Sequence, residues 1–165
     1  MTPEQYIKKG SEHEHQTALF MWIALNKQSY PKAMKAFAIK NEEKSGSAVV
    51  GGRFKASGVK SGVHDILLPI ASTCYEKGEK VGLQIGISFN KIKSSVNYSG
   101  LFLEMKKLDG RPSEDQLAFG LSMQEEGYAW EVCYGWEHGV SVIKAYLDGS
   151  FVQKDAEHQK LKYNK

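Results

Sequence analysis

Two stretches of the chain carry residues whose types and spacing can do chemistry. One is Gly62-Val63-His64-Asp65-Ile66-Leu67-Leu68 and the other is Leu101-Phe102-Leu103-Glu104-Met105-Lys106-Lys107. Each reads as a buried strand with polar groups at a single point. Strand side chains alternate between faces, so Glu104 and Lys106 project from the same face, ~6–7 Å apart. With the Asp65 strand paired beside them, two carboxylates and one ammonium meet. Two carboxylates on a rigid sheet suit a hard divalent cation, and a lysine beside them can hold a phosphate oxygen or orient a water. That is the equipment for metal-dependent phosphodiester cleavage. The E-x-K spacing also fits a solvent-exposed Glu/Lys pair on an edge strand, and spacing alone favours that reading.

The surrounding elements must position these groups. Ser11-Glu12-His13-Glu14 has the form of a capping box and opens a helix to about Gln28 that buries Leu19 and Ile23, with Trp22 and Phe20. Glu12 and Gln16 lie one turn apart at its inward-facing start. Glu14 is occupied by the cap, which leaves Glu12 as the carboxylate available to a site; a first-turn carboxylate answering the helix dipole, worth ~0.3–1 kcal/mol, is its other reading. His13 and His15 fall on different sides of the helix, against a metal pair. Ala33–Lys40 reads as a first strand, and Asn41–Gly52 as a polar loop or a short helix running to Ser57. A turn at Gly58–Gly62 leads into the Asp65 strand, ended by Pro69.

Residues 71–99 read as an inserted hairpin or arm, with a turn at Glu76–Lys80, an alternating half-buried strand at Leu83–Phe89 and a polar run at Asn90–Ser99. A turn at Asp109–Pro112 follows the Glu104 strand. Ser113-Glu114-Asp115-Gln116 is a second capping box opening a helix that closes at Gly127. Gln116 either completes that box or turns to the site. Tyr128–Tyr134 is a strand with Ala129, Glu131 and Cys133 on one face, and Trp136–Leu147 is a last helix with Val140, Ile143 and Leu147 inward. The charged tail, about 154–165, is expected to fray.

At 165 residues the chain fits one domain, with a core over about 11–149, and its 41% hydrophobic and 25% charged content is that of a soluble globular protein. A net charge of +3 argues little for a nucleic-acid partner, but its distribution argues more. No acidic residue occurs from Lys44 to His64, while Lys44, Arg53, Lys55 and Lys60 do, a block fitted to a phosphate backbone or equally to a solvated loop. Cys74 and Cys133 make neither a disulfide framework nor a zinc spacing, as for free thiols in a reducing cytosol. No stretch approaches the ~20 apolar residues of a membrane span, and no organic-cofactor motif stands out. A soluble, cytoplasmic protein is the expectation.

The order helix, strand, strand, strand, helix, strand, helix, with carboxylates on the second and third strands, resembles the PD-(D/E)xK nuclease core. It resembles most closely the virus-type replication-repair nuclease (VRR-NUC) branch. The matching segments are Glu12-x-x-x-Gln16, Ala38-Ile39-Lys40-Asn41-Glu42, Lys55 through Asp65, Gly100-Leu101-Phe102-Leu103-Glu104-Met105-Lys106 and Ser113-x-x-Gln116, in the correct order. The resemblance implies an α/β restriction-endonuclease-like fold: an αβββαβ core, a mixed central sheet flanked by helices, here with the inserted arm. It implies that Asp65, Glu104 and the Met105 backbone carbonyl bind Mg2+ or Mn2+, that Lys106 serves the water or the transition state, and that Glu12, Gln16 and Gln116 approach the metal or the scissile phosphate. Gln16, Lys44, Arg53, Lys55 and Lys60 would then contact the nucleic acid. The implied activity is endonucleolytic hydrolysis of DNA, leaving a 5′-phosphate, on branched DNA or a four-way junction, by a homodimer serving phage or bacterial replication or repair. The alternative is a non-catalytic DNA-binding module on the same fold. The sequence departs from the family pattern at Lys40 and His64, where proline is usual, and in the insertion; His64 is expected to point to the face opposite Asp65.

Overall fold

The computed structural model describes residues 1–40, 57–82 and 88–161. Its centre is a mixed four-stranded sheet in the order β1 (Phe37–Ala38), β2 (Ile66–Leu68), β5 (Leu101–Lys106), β6 (Ala129–Tyr134). β2 runs antiparallel to both β1 and β5, and β5 runs parallel to β6. Every residue of β5 and β6 is buried, as expected of a parallel pair covered on both faces. Helices α2 (Glu12–Leu25) and α4 (Trp136–Leu147) cover one face, where Leu19, Ile23 and Ile143 pack on Ile66, Leu68, Leu101, Leu103 and Met105. Helix α3 (Glu114–Glu125) covers the other, closing Leu117 over Phe102, Trp130, Val132 and Tyr134. Burying each large aliphatic side chain here contributes about 1.5–3 kcal/mol. Gly120 lets α3 settle onto the sheet, since a Cβ there would lie 2.3 Å from the Trp130 ring.

Both capping boxes form. Ser11 Oγ accepts from Glu14 N–H while Glu14 accepts from Ser11 N–H, and Ser113 and Gln116 do the same at α3. Helix α2 ends at Leu25, earlier than the sequence suggests, with Asn26 as its C-cap donating through both its backbone and its side chain to the Trp22 carbonyl. The N-terminal ten residues contain a short α1 (Pro3–Tyr6) with its own Thr2 capping box.

Two further expectations are corrected. Ala33–Lys40 is not one strand: Pro31, pre-set for a helical first turn, starts a 3₁₀ turn over Pro31–Lys35, and only Phe37–Ala38 pairs with β2. Glu76–Lys80 is not a turn but part of β3 (Ser72–Gly82), and the polar run Asn90–Ser99 falls largely in β4 (Ser88–Tyr98). The glycine and charges of 77–80 are absorbed as shifts in the β3–β4 register, which a two-stranded ribbon tolerates without an apolar period. Of the expected strand Leu83–Phe89, residues 83–87 lie outside the described residues, as do Lys44, Arg53 and Lys55. The arm is a separate antiparallel pair that continues the β2–β5 hairpin beyond Pro69–Ala71 and Ser99–Gly100, which is how the two central strands connect. Tyr146 anchors its base, donating to the Ile70 carbonyl at 2.6 Å and accepting from Ser72 Oγ at its own carbonyl, also at 2.6 Å.

The C-terminal segment does not fray over its described part. It crosses the outer edge of β6, where backbone groups lack a neighbouring strand. Gln153 imitates one, accepting from Trp130 N–H at 2.9 Å and donating to the Trp130 carbonyl at 2.8 Å. Gln159, 1% exposed at the end of α5 (Ala156–Gln159), accepts from Val132 N–H at 2.9 Å. Lys154 reaches the buried Glu131 at 2.8 Å. Two side-chain amides thus cover a sheet edge that would otherwise be open to pairing. Gln159→Ala leaves Val132 N–H buried and unpaired, and is expected to cost about 1–3 kcal/mol in a denaturant melt, against under about 0.5 kcal/mol for the exposed neighbour Lys160→Ala. Equal small effects from both would contradict the edge-covering role.

Candidate active site

Strand β2 begins at Ile66, opposite Leu103, so Asp65 lies one step beyond the pairing, beside Glu104. Its backbone carbonyl accepts from Ile39 N–H at 2.7 Å, and its Oδ2 accepts from Met105 N–H at 2.8 Å. The Asp65 side chain therefore stands in for the ladder where β2 is missing. In an extended strand the N–H and C=O of one residue point to the same edge, so the Met105 carbonyl also faces the Asp65 side. Glu104 and Lys106 are two apart on β5 and share the face under α3 with Phe102.

These groups line a cleft of about 510 Å³, together with Glu12, Gln16 and Gln116. Glu104 is 1% exposed. Its Oε1 accepts from Lys106 Nζ at 2.7 Å and from Gln116 Nε2 in a short hydrogen bond, while its Oε2 is buried with no hydrogen-bond partner. Lys106 Nζ also lies 3.7 Å from the half-exposed Glu12. The edge-strand alternative for the Glu/Lys pair is excluded by this burial. Gln116 does both things the sequence allowed, its Oε1 capping Ser113 N–H at 2.8 Å and its Nε2 holding Glu104.

Burial, reinforced by the Asp65 charge, pushes the Glu104 carboxyl up to about 8, against the pull of the Lys106 ammonium. Asp65 is also raised, by burial first, with the Met105 N–H and Lys106 opposing. Burial lowers Lys106, but Glu104 and then Glu12 outweigh it, so its ammonium is held above the usual lysine range. A cleft with two carboxyls that resist ionisation and one bare buried oxygen is short of positive charge. Among the described residues no three His, Cys, Asp or Glu side chains gather to hold a metal ion; an ion in this cleft would have Asp65, Glu104 and the Met105 backbone carbonyl to draw on. That all-oxygen donor set, with Glu104 Oε2 lacking any partner, fits a hard divalent cation.

Of the remaining candidates, Gln16 lines the cleft, and Lys60 is exposed on the loop before β2 without lining it. Lys40 and His13 line the cleft although the chemistry of the sequence did not single them out. Lys40 entered the sequence reading only as the end of the first strand and as a departure from the family's proline. His64 is corrected: it is fully buried between the sheet and α3, on the same side as Glu104, against Phe102, Phe119 and Trp130. It precedes β2, so strand alternation does not govern it. Burial lowers its imidazole to about 4. His15, also buried, caps α4 from outside, its Nδ1 accepting from Trp136 N–H at 3.4 Å where the N-cap Gly135 has no side chain.

The raised Glu104 value predicts a pH dependence. The folded, ion-free protein keeps a proton that the unfolded chain releases near 4.5, so this contribution to stability is complete below 4.5 and lost as pH rises through about 8. Glu104→Gln removes the group. In chelator, its melting temperature relative to wild type should rise between about pH 6 and about pH 9, by the equivalent of roughly 1–3 kcal/mol. A difference independent of pH contradicts the buried, proton-holding carboxyl.

No protein-family model matches the chain, and no curated protein sequence matches it. Among described residues no helix is long and apolar enough to cross a membrane. A solved structure described as a VRR_NUC domain protein superposes on it with a TM-score of 0.57, covering 86% of this chain and 93% of that one at 23% identity. The mixed sheet, its flanking helices and their order are accordingly the fold of that VRR_NUC domain protein.

Proposed function

We propose that this chain is a metal-dependent DNA endonuclease with a PD-(D/E)xK site. The observation that carries the reading is Glu104: a carboxylate buried in the central strand, with one oxygen clamped by Lys106 and Gln116 and the other bare, beside Asp65. A structural ion pair would satisfy both oxygens. The likeness in fold to a VRR_NUC domain protein supports the same reading, since that name denotes a nuclease.

In this reading Asp65, Glu104 and the Met105 carbonyl hold Mg2+ or Mn2+, which supplies Lewis acidity and a more acidic water. Lys106 presents a fixed positive charge to the scissile phosphate or its attacking water, and Glu104 and Glu12 keep it protonated. Gln116 and Gln16 line the approach. Lys60, with Lys44, Arg53 and Lys55 in the neighbouring segment, grips the phosphate backbone without reading bases. The cleft cuts one strand, so a four-way junction requires two copies related by the junction's two-fold axis; we assign the working unit as a homodimer on branched DNA in phage or bacterial replication or repair.

Asp65→Asn and Glu104→Gln should each reduce cleavage of plasmid and junction DNA in magnesium by at least about 10²–10³-fold, while DNA binding measured in calcium persists. Lys106→Ala should lose turnover and retain manganese binding by calorimetry. Cutting by both carboxylate variants at wild-type rates sinks the assignment; wild-type DNA binding without any cutting leaves a binding module. For assembly, light scattering should give twice the chain mass of 18.4 kDa, and junctions should be cut faster than linear duplex. A monomer at all micromolar concentrations removes the dimer, and equal rates on both substrates remove the branched-DNA preference.

A further inference from the structure

His64 is fully buried and stands immediately before Asp65. Its Nε2 lies 2.9 Å from the backbone carbonyl of Gln116, a residue 52 positions away, on the first turn of α3. A carbonyl only accepts, so Nε2 carries the proton and Nδ1 is the bare nitrogen. That Nδ1 is buried with no hydrogen-bond partner, at a cost that an apolar residue in the same place would avoid. The ring is boxed by Phe119, Trp130 and Phe102 at 5.0, 5.6 and 6.2 Å, which fixes its orientation. Two residues earlier, Gly62 has φ +78, and a Cβ there would lie 2.5 Å from the Asp115 backbone. The loop bearing Asp65 and the first turn of α3 are thus pressed together at Gly62 and tied at His64. The same first turn sends Gln116 Nε2 to Glu104 Oε1.

We infer that His64 is a positioning residue: its Nε2–H fixes the first turn of α3 to the Asp65 strand so that the Gln116 amide holds Glu104 with Oε2 turned bare. One backbone carbonyl thereby couples the two carboxylates, Asp65 through the chain and Glu104 through Gln116. This rests on reading the site as metal-binding. Residues that orient first ligands typically carry 10–100-fold of metal affinity, so the tether should be legible there rather than in folding alone.

The test is manganese binding by calorimetry, with circular dichroism melts as the folding control. His64→Phe fills the aromatic box without a donor and should weaken binding about tenfold. His64→Gln, whose amide reaches with a donor, should recover to within about twofold of wild type. Gln116→Ala should weaken binding about tenfold, and the double variant no further, because both changes break one linkage. Undiminished affinity in His64→Phe, or about 100-fold additive loss in the double variant, overturns the inference while leaving the nuclease reading intact. A wild-type protein that binds no manganese, or an Asp65→Asn variant that binds as well, instead removes the metal site itself. Should His64→Phe not fold, the ion-free wild type still decides: long-range nitrogen–proton spectra must show the Nε2–H tautomer of His64, and the Nδ1–H tautomer overturns the tether.

Discussion

The buried contact between Glu104 and Lys106, 2.7 Å apart and both under 10% exposed, is the interaction around which this molecule is arranged. Moving a carboxylate and an ammonium out of water costs several kcal/mol per ion, and mutual attraction recovers this only with good geometry and further hydrogen bonds. The surroundings supply part of that, with the Gln116 amide on the carboxylate and the Glu12 carboxylate near the ammonium. They leave Glu104 Oε2 with nothing. A well-packed core of Leu101, Leu103 and Ile66 lies just beside this point, yet the fold keeps a buried polar pair there, which supports the proposed reading of the cleft as a site.

Keeping that pair requires the sheet to be incomplete. β2 contributes only Ile66–Leu68, and β5 extends past it. The gap is where Asp65 replaces a backbone partner for Met105 and where the cleft opens. On the other side of β5 the sheet continues into β6, whose free edge would invite association; the Gln153 and Gln159 amides close it. One side of β5 opens onto the cleft and the far edge of the sheet is sealed. The sealing is by side chains because the C-terminal segment crosses the edge as a short helix and loop rather than as a strand.

Helix α3 serves two ends at once. Its cap and its contribution to the site are a single side chain, with the Gln116 carbonyl oxygen spent on Ser113 and its amide nitrogen on Glu104. The precision this requires comes from close approach at two points along the helix, Gly62 against its first turn and Gly120, at its middle, against Trp130. Side chains larger than hydrogen at either position would lift the helix and with it the amide.

What the sequence determined by itself is what depends on near neighbours. The two capping boxes need only residues three apart, and both formed. The shared face of Glu104 and Lys106 follows from strand alternation, and the apolar runs of β5 and β6 follow from burial on both faces. Recognition of the ordered segments from Glu12 to Gln116 extended this to the fold. Tertiary structure alone decided whether the Glu/Lys pair was solvated or buried, because the same spacing serves either environment until α3 and β6 are in place. It decided that Gln116 satisfies two partners, one local and one distant. It turned His64 under α3 toward a carbonyl 52 residues away, and it bound Gln159 to a strand 27 residues earlier. Such contacts carry no period and no fixed spacing in the chain; they exist only because packing brings the partners within 3 Å of each other.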